Sequence, residues 1–143
     1  MSELVMRSLL AVSGVLTVAL GIAHFFFPKL FDFDHAIPRE GAPLRPFRLG
    51  PLRYQTQRSD VRGIAWVMNA AASYVLVSLG ALDLWASRHG WPAGSAGHLL
   101  SQWVAGWWFL RAGTQFYLGH RRGDWLIVTG FALLYVEHVL VGW

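Results

Sequence analysis

Apolar residues fall in four blocks along this chain, at about 8–27, 63–84, 99–118 and 125–143. Each is roughly 20 residues long, the length of helix that crosses a ~30 Å hydrocarbon core. Four such blocks in 143 residues leave too little polar chain to cover them as soluble helices. The pattern predicts an all-α protein. It is an integral membrane four-helix transmembrane bundle, one transmembrane domain over 1–143, with a cytoplasmic loop cap at 28–62. The first block starts like a signal peptide, with Arg7 ahead of the apolar run. That run is too long for an ordinary signal core, and "FFFPK" follows it instead of a small-residue cleavage site. The helix is expected to stop at Pro28.

The segment 28–62 has a different texture. Leu30, Phe31, Phe33, Ile37, Leu44, Phe47, Leu49, Leu52 and Tyr54 are too many apolar residues for a disordered linker. Pro38, Pro43, Pro46 and Pro51 oppose a long helix. "PFRLGPLRYQTQ" alternates arginines with apolar residues and predicts a short hairpin turning at Gly50-Pro51. This segment is expected to lie against the cytoplasmic end of the bundle.

Polar residues interrupt the blocks at helical spacing. Ser13, Thr17, Gly21 and His24 share one face of the first helix. Asn69 and Ser73 share a face of the second, with Gly80 and Asp83 further out. Arg111 and Gln115 are four apart on the third, whereas Gly106 and Gly113 lie on another face suited to a close helix contact. Gly130, Leu134 and Glu137 line up on the fourth, with His138 turned about a quarter circle away. Counted from the cytoplasmic ends at ~1.5 Å per residue, His24, Asn69, Arg111 and Gln115 gather in the inner half. A long arginine stem there can reach Glu137 and relieve the desolvation of both charges.

Two readings of this cluster follow. In the first, Arg111 holds an anionic or carbonyl group of a lipidic or quinone-like ligand, while Glu137 and His24 move protons. His24, Arg111 and Glu137 are then the candidate catalytic residues, and Asn69, Ser73, Gln115 and His138 line the ligand. The protein would be a membrane enzyme or an accessory redox subunit. In the second, the protein is a non-catalytic structural or assembly protein, and an Arg111–Glu137 pair only fixes helix packing. For Asn69 and Ser73 taken alone, interhelical hydrogen bonding is the simpler role.

Composition narrows the field. Apolar residues are 55% of the chain and charged residues 14%, too few to clothe a soluble domain of this size. The eight tryptophans gather mostly near block ends, as in an interfacial aromatic belt. The absence of cysteine excludes disulfides, thiolate nucleophiles and cysteine-based metal sites. The net charge of +4 comes with no nucleic-acid-binding signature. Its placement matters more than its size. Lys29, Arg39, Arg45, Arg48, Arg53, Arg58 and Arg62 precede the second block, and Arg121 and Arg122 lie between the third and fourth. The other side has only Arg7 and Arg88. Loops 28–62 and 119–124 are therefore expected in the cytoplasm and both termini outside it, in a membrane of bacterial inner-membrane type. The loop arginines would meet membrane lipids with anionic headgroups.

Haem would need histidine pairs such as His24 with His120 and His98 with His138. His98 and His120 are expected past the helix ends, so haem is not predicted. Asp32, Asp34 and His35 in "DFDHAIPRE" lack a completing motif for a metal, and Asp34 more simply caps locally or pairs with a loop arginine. Transport would need an alternating-access device that four short unbroken helices do not supply. A homo-oligomer or a larger membrane complex remains open as the working assembly.

The layout resembles the small four-helix membrane proteins grouped around DoxX. The residues that carry the likeness are "LTVALGIAHFFFP", "DVRGIAWVMNAAASYVLV" and "LRAGTQFYLGHRRGDW". The resemblance implies a quinone-linked membrane redox partner. The long Pro/Arg-rich loop at 28–62 departs from that layout.

Overall fold

A computed structural model of the chain describes residues 2–116 and 123–142. The order is α1 (Glu3–Leu30), α2 (Phe33–Ala36), β1 (Phe47–Leu49), β2 (Leu52–Tyr54), α3 (Arg58–His89), α4 (Gly94–Gln115) and α5 (Asp124–Val141). The protein is all-α apart from one hairpin. Three of its helices, α1, α3 and α5, are long and apolar enough to cross a membrane. The chain forms two compact units. One is Met1–Val15 with Leu79–Trp143, the other Leu16–Ser78. Helices α1 and α3 contribute to both.

In the second unit α1 does not stop at Pro28, as the sequence predicts, but runs through it to Leu30. A proline has no N–H, so a helix that continues past position 28 leaves the carbonyl of residue 24 without its usual donor. Asn69 on α3 supplies one: its Nδ2 donates to the His24 carbonyl at 2.8 Å. A carbonyl only accepts, so the amide nitrogen must face it. The two helices come close here because residue 21 has no side chain. A Cβ on Gly21 would lie 2.8 Å from the backbone nitrogen of Val77.

The hairpin forms where the alternation predicts it. Phe47 pairs with Tyr54, Arg48 with Arg53 and Leu49 with Leu52. Gly50 at the turn has φ +56°, which suits glycine at the first central position of a two-residue loop. Its base is tied to the start of α3. The Tyr54 hydroxyl donates to Asp60 at 3.0 Å, Gln57 N–H donates to the same carboxylate at 2.8 Å, and Gln55 Nε2 donates to the Leu44 carbonyl at 2.7 Å. The hydrogen bond to Asp60 raises the Tyr54 phenol above its ordinary pKa. The expectation of a packed cap is corrected, because all six strand residues are exposed. With only two strands, and among the described residues no element laid over it, the hairpin buries neither face.

In the first unit, α3 ends at Gly90, whose φ of +85° lets its N–H close on the Ala86 carbonyl at 2.8 Å. α4 begins at Gly94, so His98 lies inside the helix rather than before it. α4 packs on α5, burying Trp108 against Phe131 with ring centroids 5.5 Å apart. Gly106 and Gly113 are exposed, with open space at their Cβ positions, so among the described residues they serve no close contact. A Cβ on Gly14 would lie 2.9 Å from the Gly80 carbonyl, so α1 meets α3 backbone to backbone in this unit as well.

Candidate functional site

Four helices of the first unit bring polar side chains together at the end that carries the α3–α4 loop. Asp83 of α3 and His138 of α5 are both fully buried, and His138 Nε2 lies 3.0 Å from Asp83 Oδ1. His138 Nδ1 is 2.9 Å from the Leu134 carbonyl. That carbonyl only accepts, so Nδ1 carries a hydrogen. A second proton must then sit between Nε2 and Oδ1, since two acceptors would repel at that distance. Whichever atom holds it, the pair is neutral overall. This is what makes a buried acid and imidazole affordable in apolar surroundings. The other carboxylate oxygen of Asp83 is buried without a hydrogen-bond partner.

Three contacts close the cluster. The Ser101 hydroxyl of α4 donates to the His138 carbonyl. The Ser13 hydroxyl of α1 donates to Glu137 Oε1 at 2.9 Å. Trp91, in the α3–α4 loop, sets its indole edgewise to the His138 ring at 5.7 Å and donates to the Gly97 carbonyl at 3.0 Å. Each bond joins separate helices, or a loop to a helix, and fixes their register.

Arg111 lies toward the other end of α4. The sequence predicts a pair with Glu137, and the structure corrects this: among the described residues no ion pair joins the two. The guanidinium lies over the Phe131 ring, 5.1 Å from its centroid. Phe131 precedes Glu137 by six residues, ~9 Å along α5. Glu137 is instead engaged by Ser13. Arg111 turns toward the end of α4, where Nη1 reaches Thr114 Oγ1 at 3.4 Å, a long and weak hydrogen bond. Trp107 and Trp108 precede Arg111 by four and three residues, and both indole nitrogens are buried without a partner. Gln115 is buried, and its Nε2 is 3.5 Å from Asp124 Oδ1.

The remaining candidates belong to the second unit. His24 is buried there, and its Nδ1 faces the Leu20 carbonyl at 3.0 Å. Its ring packs tilted against Phe27, with centroids 4.1 Å apart. Asn69 bonds the His24 backbone rather than its imidazole, and Ser73 donates to the Asn69 carbonyl at 2.7 Å. His24, Asn69 and Ser73 are therefore one local group. Arg111, Gln115, Glu137 and His138 lie in the first unit. His120, Arg121 and Arg122 lie outside the described residues. Asp34 of α2 pairs with Arg62 of α3.

Sequence reasoning underrated Asp83, Ser13, Ser101 and Trp91. The signal for Asp83 was present, as the lone acid of the apolar block 63–84, on the same stripe as Asn69 and Ser73. On α5 the buried residues are Phe131 and His138, seven apart, with Leu134 and Glu137 half-buried beside them.

No family model matches the chain, and no curated protein or solved structure is similar to it.

Proposed function

We propose that the chain is an integral membrane protein with four membrane-embedded helices, and that Arg111 binds the anionic or carbonyl group of a lipidic or quinone-like ligand. The membrane reading is supported by the three long apolar helices and by α4, whose 22 residues span ~33 Å and carry Arg111 as their one permanent charge. The arginine asymmetry supports cytoplasmic placement of the segment ahead of α3, with both termini outside. The observation that carries the ligand reading is the state of Arg111. A guanidinium in apolar surroundings lies on an aromatic face and makes a long hydrogen bond, and among the described residues no carboxylate pairs with it. Its fork geometry suits a phosphate, carboxylate or carbonyl pair. A quinone is the ligand the DoxX resemblance favours. In this reading the Asp83–His138 pair holds the helices that frame the site.

The protein purified in mild detergent should carry a lipidic ligand detectable by mass spectrometry. Arg111→Lys should keep the fold and weaken retention about tenfold, the loss of one charge-assisted hydrogen bond of ~1.5 kcal/mol. Equal retention by Arg111→Lys would remove the arginine from the binding role. A specific observation favours a second reading, a non-catalytic structural or assembly protein. The Asp83–His138, Ser101–His138 and Ser13–Glu137 bonds each join one helix to another. A protein that purifies without any lipidic ligand would favour it.

A further inference from the structure

The hairpin presents two chemically different faces. In an antiparallel pair, directly opposed residues share a face and successive residues alternate. Phe47, Tyr54, Leu49 and Leu52 therefore form one face, and Arg48 and Arg53 the other. The apolar four are 56%, 57%, 64% and 68% exposed. An isolated two-stranded hairpin cannot cover such a face by itself.

We propose that this face inserts into the headgroup layer of the anionic membrane that α1 and α3 cross, as an interfacial anchor. Position, charge and bracing support this occupant. Tyr54 is four residues from the start of α3, so it lies at most ~14 Å from Arg58, at the mouth of an apolar helix. The hairpin is covalently held where a membrane surface would be. From Arg39 to Arg58 the chain carries five arginines against a single acid, Glu40. That balance complements anionic headgroups, and Arg48 and Arg53 face away from the apolar side and can reach phosphates beside it. The ties of Tyr54 and Gln57 to Asp60 brace the hairpin base against α3, so its orientation follows the helix. Apolar residues lying ~5–10 Å into the headgroup and acyl boundary, flanked by basic ones, are the pattern of interfacial anchors.

The chain has no cysteine, so single cysteines label uniquely. The full-length protein carries Leu49→Cys, Leu52→Cys, Arg48→Cys or Arg53→Cys, each with an environment-sensitive fluorophore. It is reconstituted in phosphatidylcholine vesicles with or without phosphatidylglycerol. With phosphatidylglycerol, iodide quenching at positions 49 and 52 should be about threefold or more weaker than at 48 and 53, as for a face below the headgroup surface. Headgroup-level lipid quenchers should reverse that order. Equal quenching at all four positions in those vesicles overturns the proposal. So does protection at 49 and 52 that grows with the protein-to-lipid ratio, which would assign the face to a second copy of the chain. The inference rests on the membrane reading, whose own failure would look different: the protein would not float with the vesicles at all.

Discussion

Asn69 and Pro28 should be energetically coupled although 41 positions separate them in the sequence. The perturbation is Asn69→Ala, measured once with Pro28 and once with Pro28→Ala. With Pro28 in place, Asn69→Ala leaves the His24 carbonyl with neither its helical donor nor its amide. His24 is 9% exposed, so little water reaches that end of the residue. An unsatisfied buried group costs ~1–3 kcal/mol. Interhelical hydrogen bonds within bilayers average about 0.6 kcal/mol and reach about 1.7 kcal/mol, so we expect a loss of ~1–2 kcal/mol. With alanine at 28, the backbone N–H returns and bonds the carbonyl through the helix itself. Asn69→Ala should then cost less than ~0.5 kcal/mol, leaving a coupling energy of about 1 kcal/mol. The assay is reversible unfolding in mixed detergent micelles, followed by tryptophan fluorescence. Asn69→Asp adds a directional check, since it replaces the donor with an acceptor facing an acceptor. It should be worse than Asn69→Ala. Equal cost of Asn69→Ala in the two backgrounds would refute the reasoning.

The Asp83–His138 pair should behave as one neutral unit. Asp83→Ala or His138→Ala should each cost ~3–5 kcal/mol in the same assay, whereas Asp83→Leu combined with His138→Phe should be neutral or stabilising. Asp83→Asn should be mild, because an amide can donate to Nε2 while Nδ1–H keeps Leu134, and a loss as large as that of Asp83→Ala would contradict the proton assignment. For topology, a reporter fused after Trp143 should read from outside the cytoplasm and one inserted near Gly41 from inside, and the reverse pattern would overturn the orientation.

The buried stripe of α1 was legible before any coordinates. Ser13, Thr17, Gly21 and His24 stand at helical spacing, and all four are buried. So was the hairpin, because Gly50-Pro51 punctuates a clean alternation. The polar pairings were not legible. Periodicity gives a face but not an axial offset between helices, so Arg111 was matched to Glu137 when its neighbour on α5 is Phe131. Pro28 marked a stop only because the sequence could not show a donor arriving from position 69. His138 was assigned a quarter turn off the inward face, since an apolar helix such as α5 has little amphipathic contrast to fix its rotation.

The ion pair of the first unit also has a history in time. Asp83 and His138 are 55 residues apart, and Asp83 is made first. At ~5–20 residues per second, synthesis leaves the acid without its imidazole for roughly 3–11 s. During that interval α3 holds a carboxylate with no proton-sharing partner in a stretch otherwise suited to lipid. On the membrane reading proposed above, Asp83 gains its proton-sharing partner only once α5 has been made.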